Sequence, residues 1–152
     1  MNKRKDLGQH FLKSKTIARS IVDSAKITRN DIVLEIGTGH GILIPYICKN
    51  AKQVFSIEND HNLYLSAKSN FHDYSNLVLE YGDGFKSVHS FSIFVSNLPY
   101  SKSRLAIEWL LQKKIFRAVI MVQKEFAEKL ISNEEHKAIS VLANYGFRIK
   151  FL

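Results

Sequence analysis

Short apolar runs alternate with helical patterns along most of this 152-residue chain. Strands that are joined by helical crossovers form a parallel, doubly wound sheet covered on both faces. The alternation therefore predicts an α/β fold whose ligands bind outside the carboxyl ends of the strands. The predicted strands are 31–36, 53–58, 77–81, 91–96 and 116–122, with a sixth beginning at 147; the predicted helices are 16–25, 42–49, 60–70, 103–112, 125–131 and 137–145.

Composition predicts a folded protein with one core. Hydrophobic residues make up 45% of the chain, and no apolar run reaches the roughly 18 residues that a membrane span needs. The first thirty residues lack the apolar segment of a signal peptide. Cys48, the single cysteine, lies in an apolar helical stretch, which favours a buried, inert thiol over a nucleophile. We therefore expect a soluble protein in the reducing cytoplasm.

Positive charge is concentrated near the amino terminus. The net charge is +8, and the first thirty residues carry eight Lys and Arg against two Asp. A basic arm, taken here as residues 1–15, suits a polyanion, and nucleic acid is the usual one. The alternative is a solvated tail. The candidate phosphate contacts in the arm are Lys3, Arg4 and Lys5.

A glycine-rich turn follows the first predicted strand. Gly37, Gly39 and Gly41 form a GxGxG pattern, and Glu58 ends the next strand 21 residues after Gly37. Glycines let the backbone approach a ligand closely, and an acid at this spacing can accept both hydroxyls of a ribose. The third glycine comes one residue earlier than in the dinucleotide pattern, which favours a cofactor without a pyrophosphate. The alternative, a tight turn without a ligand, leaves Glu58 unexplained.

Asp83 lies between two glycines at the end of the third predicted strand. Its carboxylate can accept a hydrogen bond from an adenine amino group, although Gly-Asp-Gly is also an ordinary turn sequence. Its register with Gly37 and Glu58 favours the binding role.

The six histidines have spacings that match no metal site, so we expect no metal.

The segment Asn97-Leu98-Pro99-Tyr100 follows the fourth predicted strand and is the most specific signal in the chain. An adenine amino nitrogen is a poor nucleophile because its lone pair is delocalised into the ring. The Asn97 side-chain oxygen and the Leu98 carbonyl, held by Pro99, can accept both amino hydrogens and offset the positive charge that develops. Tyr100 would stack on the base, worth about 1–3 kcal/mol. The segment predicts methyl transfer to a base nitrogen; the alternative is a strand-ending turn with a core tyrosine.

Six segments in order resemble the ribosomal RNA adenine N6-dimethyltransferases and the related macrolide-resistance ribosomal methyltransferases. They are Gly-Gln-His-Phe-Leu at 8–12, Val-Leu-Glu-Ile-Gly-Thr-Gly-His-Gly at 33–41, and the segments at 57–60, 82–83, 97–100 and 122–128. The resemblance implies a Rossmann-like class I fold with S-adenosylmethionine as cofactor. It also implies dimethylation of adenines near the 3′ end of small-subunit ribosomal RNA, or methylation of one large-subunit adenine. Leu98 and the 123–128 segment favour the first.

The resemblance also implies a set of cofactor-binding residues. Four of them would contact the methionine end of S-adenosylmethionine: Gln9, His10, Leu12 and Gly37. Glu58 would bind the ribose, Asp83 the adenine amino group, and Asn97 both the cofactor and the target base. Gly39 completes the set.

Members of this family usually continue with a further strand antiparallel to the sixth, an aromatic wall of the base pocket and a small helical domain. Nothing like these follows Leu152 in the sequence. We therefore expect a catalytic domain at 16–152 that is truncated before the last strand, with a complete cofactor site and an incomplete substrate site. A lesser departure is Pro45, where the family commonly has a threonine; it fits best in the first turn of a helix that begins near Ile42.

The leading interpretation is an enzyme that methylates adenines of ribosomal RNA on an immature small ribosomal subunit, acts as a monomer and involves no membrane. Two alternatives stay open. One is a non-catalytic RNA-binding or ribosome-assembly module with the same fold, and the other is a small-molecule N-methyltransferase, against which the basic arm argues.

Further cations are either phosphate contacts or plain solvated side chains; they are Lys102, Arg104, Lys113, Lys114 and Arg117.

Overall fold

The computed structural model describes residues 11–131 and 138–150, which fall into two compact units. Of the described residues, the sheet unit comprises 11–97 and 115–120, and the helical unit comprises 98–114, 121–131 and 138–150. Among the described residues, no helix has both the length and the apolar character to cross a membrane.

The sheet unit carries the strands. Its elements are α1 (Lys15–Ala25), β1 (Ile32–Ile36), α2 (Ile44–Asn50), β2 (Gln53–Glu58), α3 (His61–Asn70), β3 (Leu77–Tyr81), β4 (Ile93–Ser96) and β5 (Arg117–Ile120), with a 3₁₀ turn at Gly84–Lys86. The helical unit contains a 3₁₀ turn at Tyr100–Lys102 and the helices α4 (Ser103–Leu110), α5 (Lys124–Ile131) and α6 (Ala138–Gly146).

The five strands of the described residues form one parallel sheet in the order β3-β2-β1-β4-β5. The predicted parallel α/β sheet is therefore confirmed. Strand order reverses between β1 and β4, so the carboxyl ends of these two strands mark the position where such sheets bind ligands.

One face of the sheet is buried against α1 and α2. Val33, Val54 and Ile93 are neighbours in register on β1, β2 and β4, and they pack in one cluster with Val22 of α1 and Ile47 of α2. Each fully buried side chain of this size contributes about 1.5–3 kcal/mol to folding. The sheet that positions the glycine turn is therefore well anchored.

The helical unit has a small apolar cluster of its own. Its buried members are Leu130, Ile139 and Ala143, and three partly buried side chains, Ile107, Phe126 and Ile149, pack against them. The Asn144 side-chain amide donates to the Leu130 carbonyl at 2.8 Å, which joins α6 to the end of α5.

Two helix starts show how local chemistry sets the boundaries. The Asp60 carboxylate accepts the N–H groups of Asn62 and Leu63, so Asp60 caps α3 and the helix begins at His61. The helix predicted from Ile42 begins at Ile44, two residues later than expected. Pro45 lies in its first turn, as expected, because a missing N–H leaves no helical bond unmade there.

The prediction of a sixth strand is wrong for residues 147–150, the described part of that segment. Residues 147–150 form no strand, and 151–152 lie outside the described residues. A strand requires a neighbour that satisfies its N–H and C=O groups, and within the described residues the sheet pairs no strand with this segment. Phe147 instead donates its N–H to the Ala143 carbonyl at 2.9 Å, which extends the last turn of α6.

Gly41→Ala should destabilise the protein by at least about 2 kcal/mol, since overpacking costs about 1–3 kcal/mol and a left-handed conformation adds about 1. Gly41 has a φ of +74°, and a Cβ there would lie 2.1 Å from Phe71 Cε2. Urea denaturation measures the change. Gly82→Ala is the control, because no atom lies within 4 Å of the added methyl group. Equal destabilisation of the two variants would rule out the Phe71 contact as the cause.

Candidate cofactor site

Backbone hydrogen bonds tie together the carboxyl ends of β1, β2 and β3. The Gly37 N–H donates to the Ile57 carbonyl at 2.8 Å, and the Gly82 N–H donates to the Glu58 carbonyl at 2.9 Å. These bonds extend the β1–β2 and β2–β3 pairing by one residue. The glycine turn, Glu58 and the loop before Asp83 therefore meet at one edge of the sheet, as the sequence predicts.

Ser96 joins β4 to the same edge. Its buried hydroxyl donates to the Ile36 carbonyl at the end of β1, across the point where strand order reverses. Asn97 follows Ser96 directly, so its backbone begins beside the start of the glycine turn. Ser96 was not predicted as a site residue; its signal in the sequence is a small polar residue at the end of an apolar strand.

Glu58 is held by the glycine turn. Its side chain is 5% exposed, Oε2 accepts the Gly39 N–H at 2.8 Å, and Oε1 accepts the Asp60 N–H at 2.8 Å. Gly39 has a φ of +57°, which most side chains disfavour. A carboxylate offers about four acceptor positions. Two backbone donors therefore leave Glu58 with capacity for two hydroxyl groups of a ligand.

Asp83 caps the 3₁₀ turn that follows β3. Its Oδ1 accepts the Phe85 N–H at 3.1 Å, so the ordinary turn interpretation holds for one carboxylate oxygen. The side chain is exposed, and Oδ2 has no partner among the residues described. A Cβ on Gly84 would lie 2.6 Å from Ile36 Cγ1, so this turn packs closely on the end of β1. Asp83 can therefore present one oxygen to a ligand amino group.

An aromatic ring from the segment before α1 covers the glycine turn. Ring atoms of Phe11 lie 3.5–3.6 Å from the position of a Cβ on Gly39, and the Phe11 and His40 ring centroids are 4.5 Å apart. Leu12 is partly buried against the core of the sheet unit. Phe11 belongs to the 8–12 segment of the sequence, but nothing in its spacing assigned it to the turn. Two predicted residues, Gln9 and His10, lie outside the described residues.

A buried carboxyl group contacts the same turn. Glu35 on β1 is 1% exposed and stands in register with Ser56 on β2. The Ser56 hydroxyl lies 2.6 Å from Glu35 Oε2 and 2.6 Å from Thr38 Oγ1, within the glycine turn. Burial raises the pKa of Glu35 to about 8; the Ser56 hydrogen bond opposes that shift, and the nearby Glu58 charge adds to it. Glu35, Ser56 and Thr38 were not predicted as site residues from the sequence.

The tetrapeptide after β4 begins at the end of the sheet unit, with Asn97, and continues into the helical unit, with Leu98. Leu98 is buried. Pro99 has φ −52° and ψ 134°, precedes the 3₁₀ turn, and accepts the Lys102 N–H at 2.8 Å on its carbonyl. Tyr100 is partly buried at the start of that turn. The expected proline-containing turn is present, and the roles of these residues toward a base stay predictions.

The candidate phosphate contacts differ in their local surroundings. Lys102 and Arg104 are exposed, and Arg104 Nε lies 2.8 Å from Glu108 Oε1 on the same helix. Arg117 is the first residue of β5, at the amino end of the strand, and it donates to the Ala25 carbonyl at 2.8 Å. Arg117 therefore lies at the end of its strand opposite the glycine turn, where it binds the end of α1, and this position does not fit a phosphate contact at the catalytic edge. The arm residues 3–5 lie outside the described residues.

Cys48 on α2 is buried, and this burial raises its pKa to about 12, with a smaller contribution from Glu35. The predicted burial of Cys48 is therefore confirmed, and a thiol that stays protonated at neutral pH is a poor nucleophile. Within the part of the chain that the structure describes, no three His, Cys, Asp or Glu side chains are grouped to hold a metal.

The described residues fit a nucleoside cofactor without a pyrophosphate. The turn has left-handed glycines, Glu58 has spare acceptor capacity for hydroxyls, and Asp83 has an open carboxylate oxygen. With the strand order, these features define the Rossmann-like fold of class I S-adenosylmethionine-dependent methyltransferases. The model of the ribosomal RNA adenine dimethylase family matches residues 1–152, and the chain belongs to that family.

Individual relatives agree with this assignment. A probable ribosomal RNA small subunit methyltransferase A from Methanococcus vannielii is 35% identical over 100% of this chain and 59% of its own length. A dimethyladenosine transferase from Plasmodium falciparum has a TM-score of 0.80 at 34% identity, covering 89% of this chain and 52% of that one. The 23S rRNA methyltransferase ErmE has a TM-score of 0.75 at 28% identity, covering 79% and 50%. The chain thus spans between 50% and 59% of these three proteins.

Proposed function

We propose that this chain is the cofactor-binding and catalytic part of an enzyme that dimethylates the N6 nitrogen of adenines near the 3′ end of small-subunit ribosomal RNA. The observation that carries the proposal is the buried Glu58 carboxylate, bonded to Gly39 at the sheet edge where Asn97 begins. Family membership supports ribosomal RNA as the substrate class. Relatives named as a small-subunit methyltransferase and a dimethyladenosine transferase support the site and the second methyl group.

In this proposal S-adenosylmethionine is the cofactor, and when bound it supplies an electrophilic methyl group on a positively charged sulfur. Glu58 accepts the ribose hydroxyls, and Asp83 Oδ2 accepts from the adenine amino group. Gly37 and Gly39 keep side chains out of the turn, so that the backbone approaches the ligand. The proposed set also includes Gln9, His10, Leu12 and Asn97 toward the methionine end.

The target base is held by the tetrapeptide after β4. The Asn97 side-chain oxygen and the Leu98 carbonyl accept the two amino hydrogens of the adenine, and Pro99 fixes the turn. Both acceptors also stabilise the positive charge that develops on the nitrogen. Tyr100 stacks on the base. No strong base is required, because alignment of the nitrogen with the methyl carbon supplies the main rate effect.

The proposed partner is an immature small ribosomal subunit, bound by a monomer in the cytoplasm, where that substrate is found. RNA recognition of this kind needs an unpaired or extruded adenine, since the amino group is otherwise base-paired. Lys102 and Arg104 are exposed and are proposed as phosphate contacts. The arm residues Lys3, Arg4 and Lys5 are proposed to do the same.

Replacing Lys3, Arg4 and Lys5 with alanine should flatten the salt dependence of RNA binding. Each lost phosphate contact removes about 0.7–0.9 from the slope of log K against log salt, so the slope should fall by about 2. The matched control replaces Arg29, Lys49 and Lys52, which are exposed near the amino ends of the strands. An unchanged slope in the arm variant, or an equal change in the control, would make the arm a solvated tail.

Methyl transfer to small ribosomal subunits that lack the modification tests the proposed function. The subunits are incubated with this chain and S-adenosylmethionine labelled in the methyl group, and the RNA is digested to nucleosides. We expect labelled N6,N6-dimethyladenosine. Binding of the subunit without transfer would favour an assembly module, and salt-insensitive transfer to a free amine would favour a small-molecule enzyme.

A further inference from the structure

The hydrogen-bond chain from Glu35 through Ser56 to Thr38 joins two strands to the glycine turn, and no role in the proposed chemistry uses it. All three side chains are buried. Thr38 stands between Gly37 and Gly39, whose backbone faces the proposed cofactor. A change in the hydrogen bonding of Thr38 therefore acts on a residue directly between two proposed cofactor contacts.

The surroundings of Glu35 disfavour its ionised form. Among the described residues it has no salt bridge, the charged group that raises its pKa is Glu58 on β2, and its own charge acts on the Cys48 thiol on α2. Glu58 carries the same charge sign, and the thiol is neutral. A buried carboxyl group without a cation binds a proton, which agrees with a pKa raised to about 8.

The hydrogen bonds from Glu35 through Ser56 to Thr38 can run in either of two directions, depending on whether Glu35 carries a proton. When Glu35 is ionised, Ser56 donates to Glu35, and Thr38 must donate to Ser56. When Glu35 is protonated, its O–H donates to Ser56, because Ser56 is the partner recorded for this carboxyl group among the described residues. Ser56 then donates to Thr38, and the Thr38 hydroxyl hydrogen is released for another acceptor.

We propose that Glu35 is a positioning residue whose proton sets the direction of the Glu35–Ser56–Thr38 chain and so makes the Thr38 hydroxyl available as a donor to the bound cofactor. This inference rests on the cofactor site described under the proposed function. It assigns a role to three residues outside the proposed cofactor-binding set.

A pH dependence of cofactor binding follows. Above a pH of about 8, Glu35 loses its proton and Thr38 donates back to Ser56, so the cofactor loses one hydrogen bond and binds more weakly. Stability changes in the same direction: the folded state keeps a proton that the unfolded chain has released, so the free energy of unfolding falls between about pH 4.5 and 8.

Calorimetric titration with S-adenosylhomocysteine at pH 6.5 and pH 9 tests the proposal. Glu35→Gln keeps a donor to Ser56 at every pH, and Thr38→Val removes the hydroxyl with little change in shape. Thr38→Ser restores the hydroxyl, and Glu80→Gln removes a partly exposed carboxylate from β3. The ligand amino group also titrates on the alkaline side of neutral pH, but it does so equally for every variant, so only differences between variants count.

We expect the dissociation constant of the wild-type chain to rise between the two pH values by about tenfold more than that of Glu35→Gln. Thr38→Val should bind more weakly at pH 6.5 and lose the excess pH effect, while Thr38→Ser and Glu80→Gln should keep it. Urea denaturation of each variant shows whether it is folded. A Glu35→Gln variant with the wild-type pH dependence, or wild-type binding by Thr38→Val, would overturn the proposal.

The two proposals fail in different ways. Methyl transfer together with an unaltered pH dependence in Glu35→Gln would leave the proposed function standing and remove the role of Glu35. Binding that depends on Glu35 as expected, without methyl transfer to RNA, would support the role of Glu35 and contradict the proposed function. A wild-type chain that does not bind S-adenosylhomocysteine at pH 6.5 would remove both.

Discussion

Asn97→Ala is expected to lower the rate of methyl transfer by at least about 10²–10³-fold, while the dissociation constant of the cofactor stays within about tenfold. The amide oxygen is proposed to act on charge that develops only as the nitrogen is methylated, so its loss falls on the transition state. Single-turnover transfer to RNA and calorimetric titration separate the two effects. The local fold should survive, because Ser96, which ties β4 to β1, is unchanged.

Asn62→Ala is the matched control, because Asn62 is exposed on α3 and the change in side chain is the same. It should transfer methyl groups at the wild-type rate. Complete loss of cofactor binding by Asn97→Ala would contradict the role assigned to Asn97 and would make it chiefly a cofactor ligand. Near-wild-type transfer would remove it from the active site.

Glu58→Gln is expected to weaken cofactor binding by about 10²-fold, since a hydrogen bond to a charged group is worth about 1.5–3 kcal/mol. The new amide cannot accept at both of its ends. One of the two backbone donors, the Gly39 N–H or the Asp60 N–H, would then face another donor. The glycine turn should therefore loosen, and the variant should also be less stable.

Calorimetric titration and urea denaturation measure the two effects of Glu58→Gln separately. Glu80→Gln serves as the control, since its carboxylate lies on the neighbouring strand and pairs with His89 at 2.7 Å. It should leave cofactor affinity unchanged. A Glu58→Gln variant that binds S-adenosylmethionine with wild-type affinity would show that this acid does not contact the ligand.

The strands were predictable from sequence where an apolar run is bounded on both sides by polar or turn residues. β2 and β3 begin and end at the predicted residues, 53–58 and 77–81, because Asn59-Asp60 and Gly82-Asp83 stop them. The fourth and fifth strands are shorter than their apolar runs. Pairing on β4 begins only at Ile93, and pairing on β5 runs only from Arg117 to Ile120, because hydropathy does not report which residues pair.

The long-range parts of the site needed the structure. Glu35 reads in the sequence as an acid inside an apolar strand, and its partner Ser56 lies 21 residues away. Their contact depends on the register of β1 against β2, which a single sequence does not specify. The same holds for Phe11, since the path of the chain before α1 places its ring on Gly39. The turns depend on residues that are adjacent in the sequence, whereas these contacts join residues that are far apart in it.

Calorimetric titration of the 152-residue chain with S-adenosylmethionine tests most directly whether the sheet edge formed by Gly39, Glu58 and Asp83 is a cofactor site. The predicted result is saturable binding to one site per chain with a dissociation constant on the order of micromolar, weakened about 10²-fold in Glu58→Gln and unchanged in Glu80→Gln. The absence of saturable binding by the folded wild-type chain, or equal binding by both variants, would contradict a cofactor site at this edge.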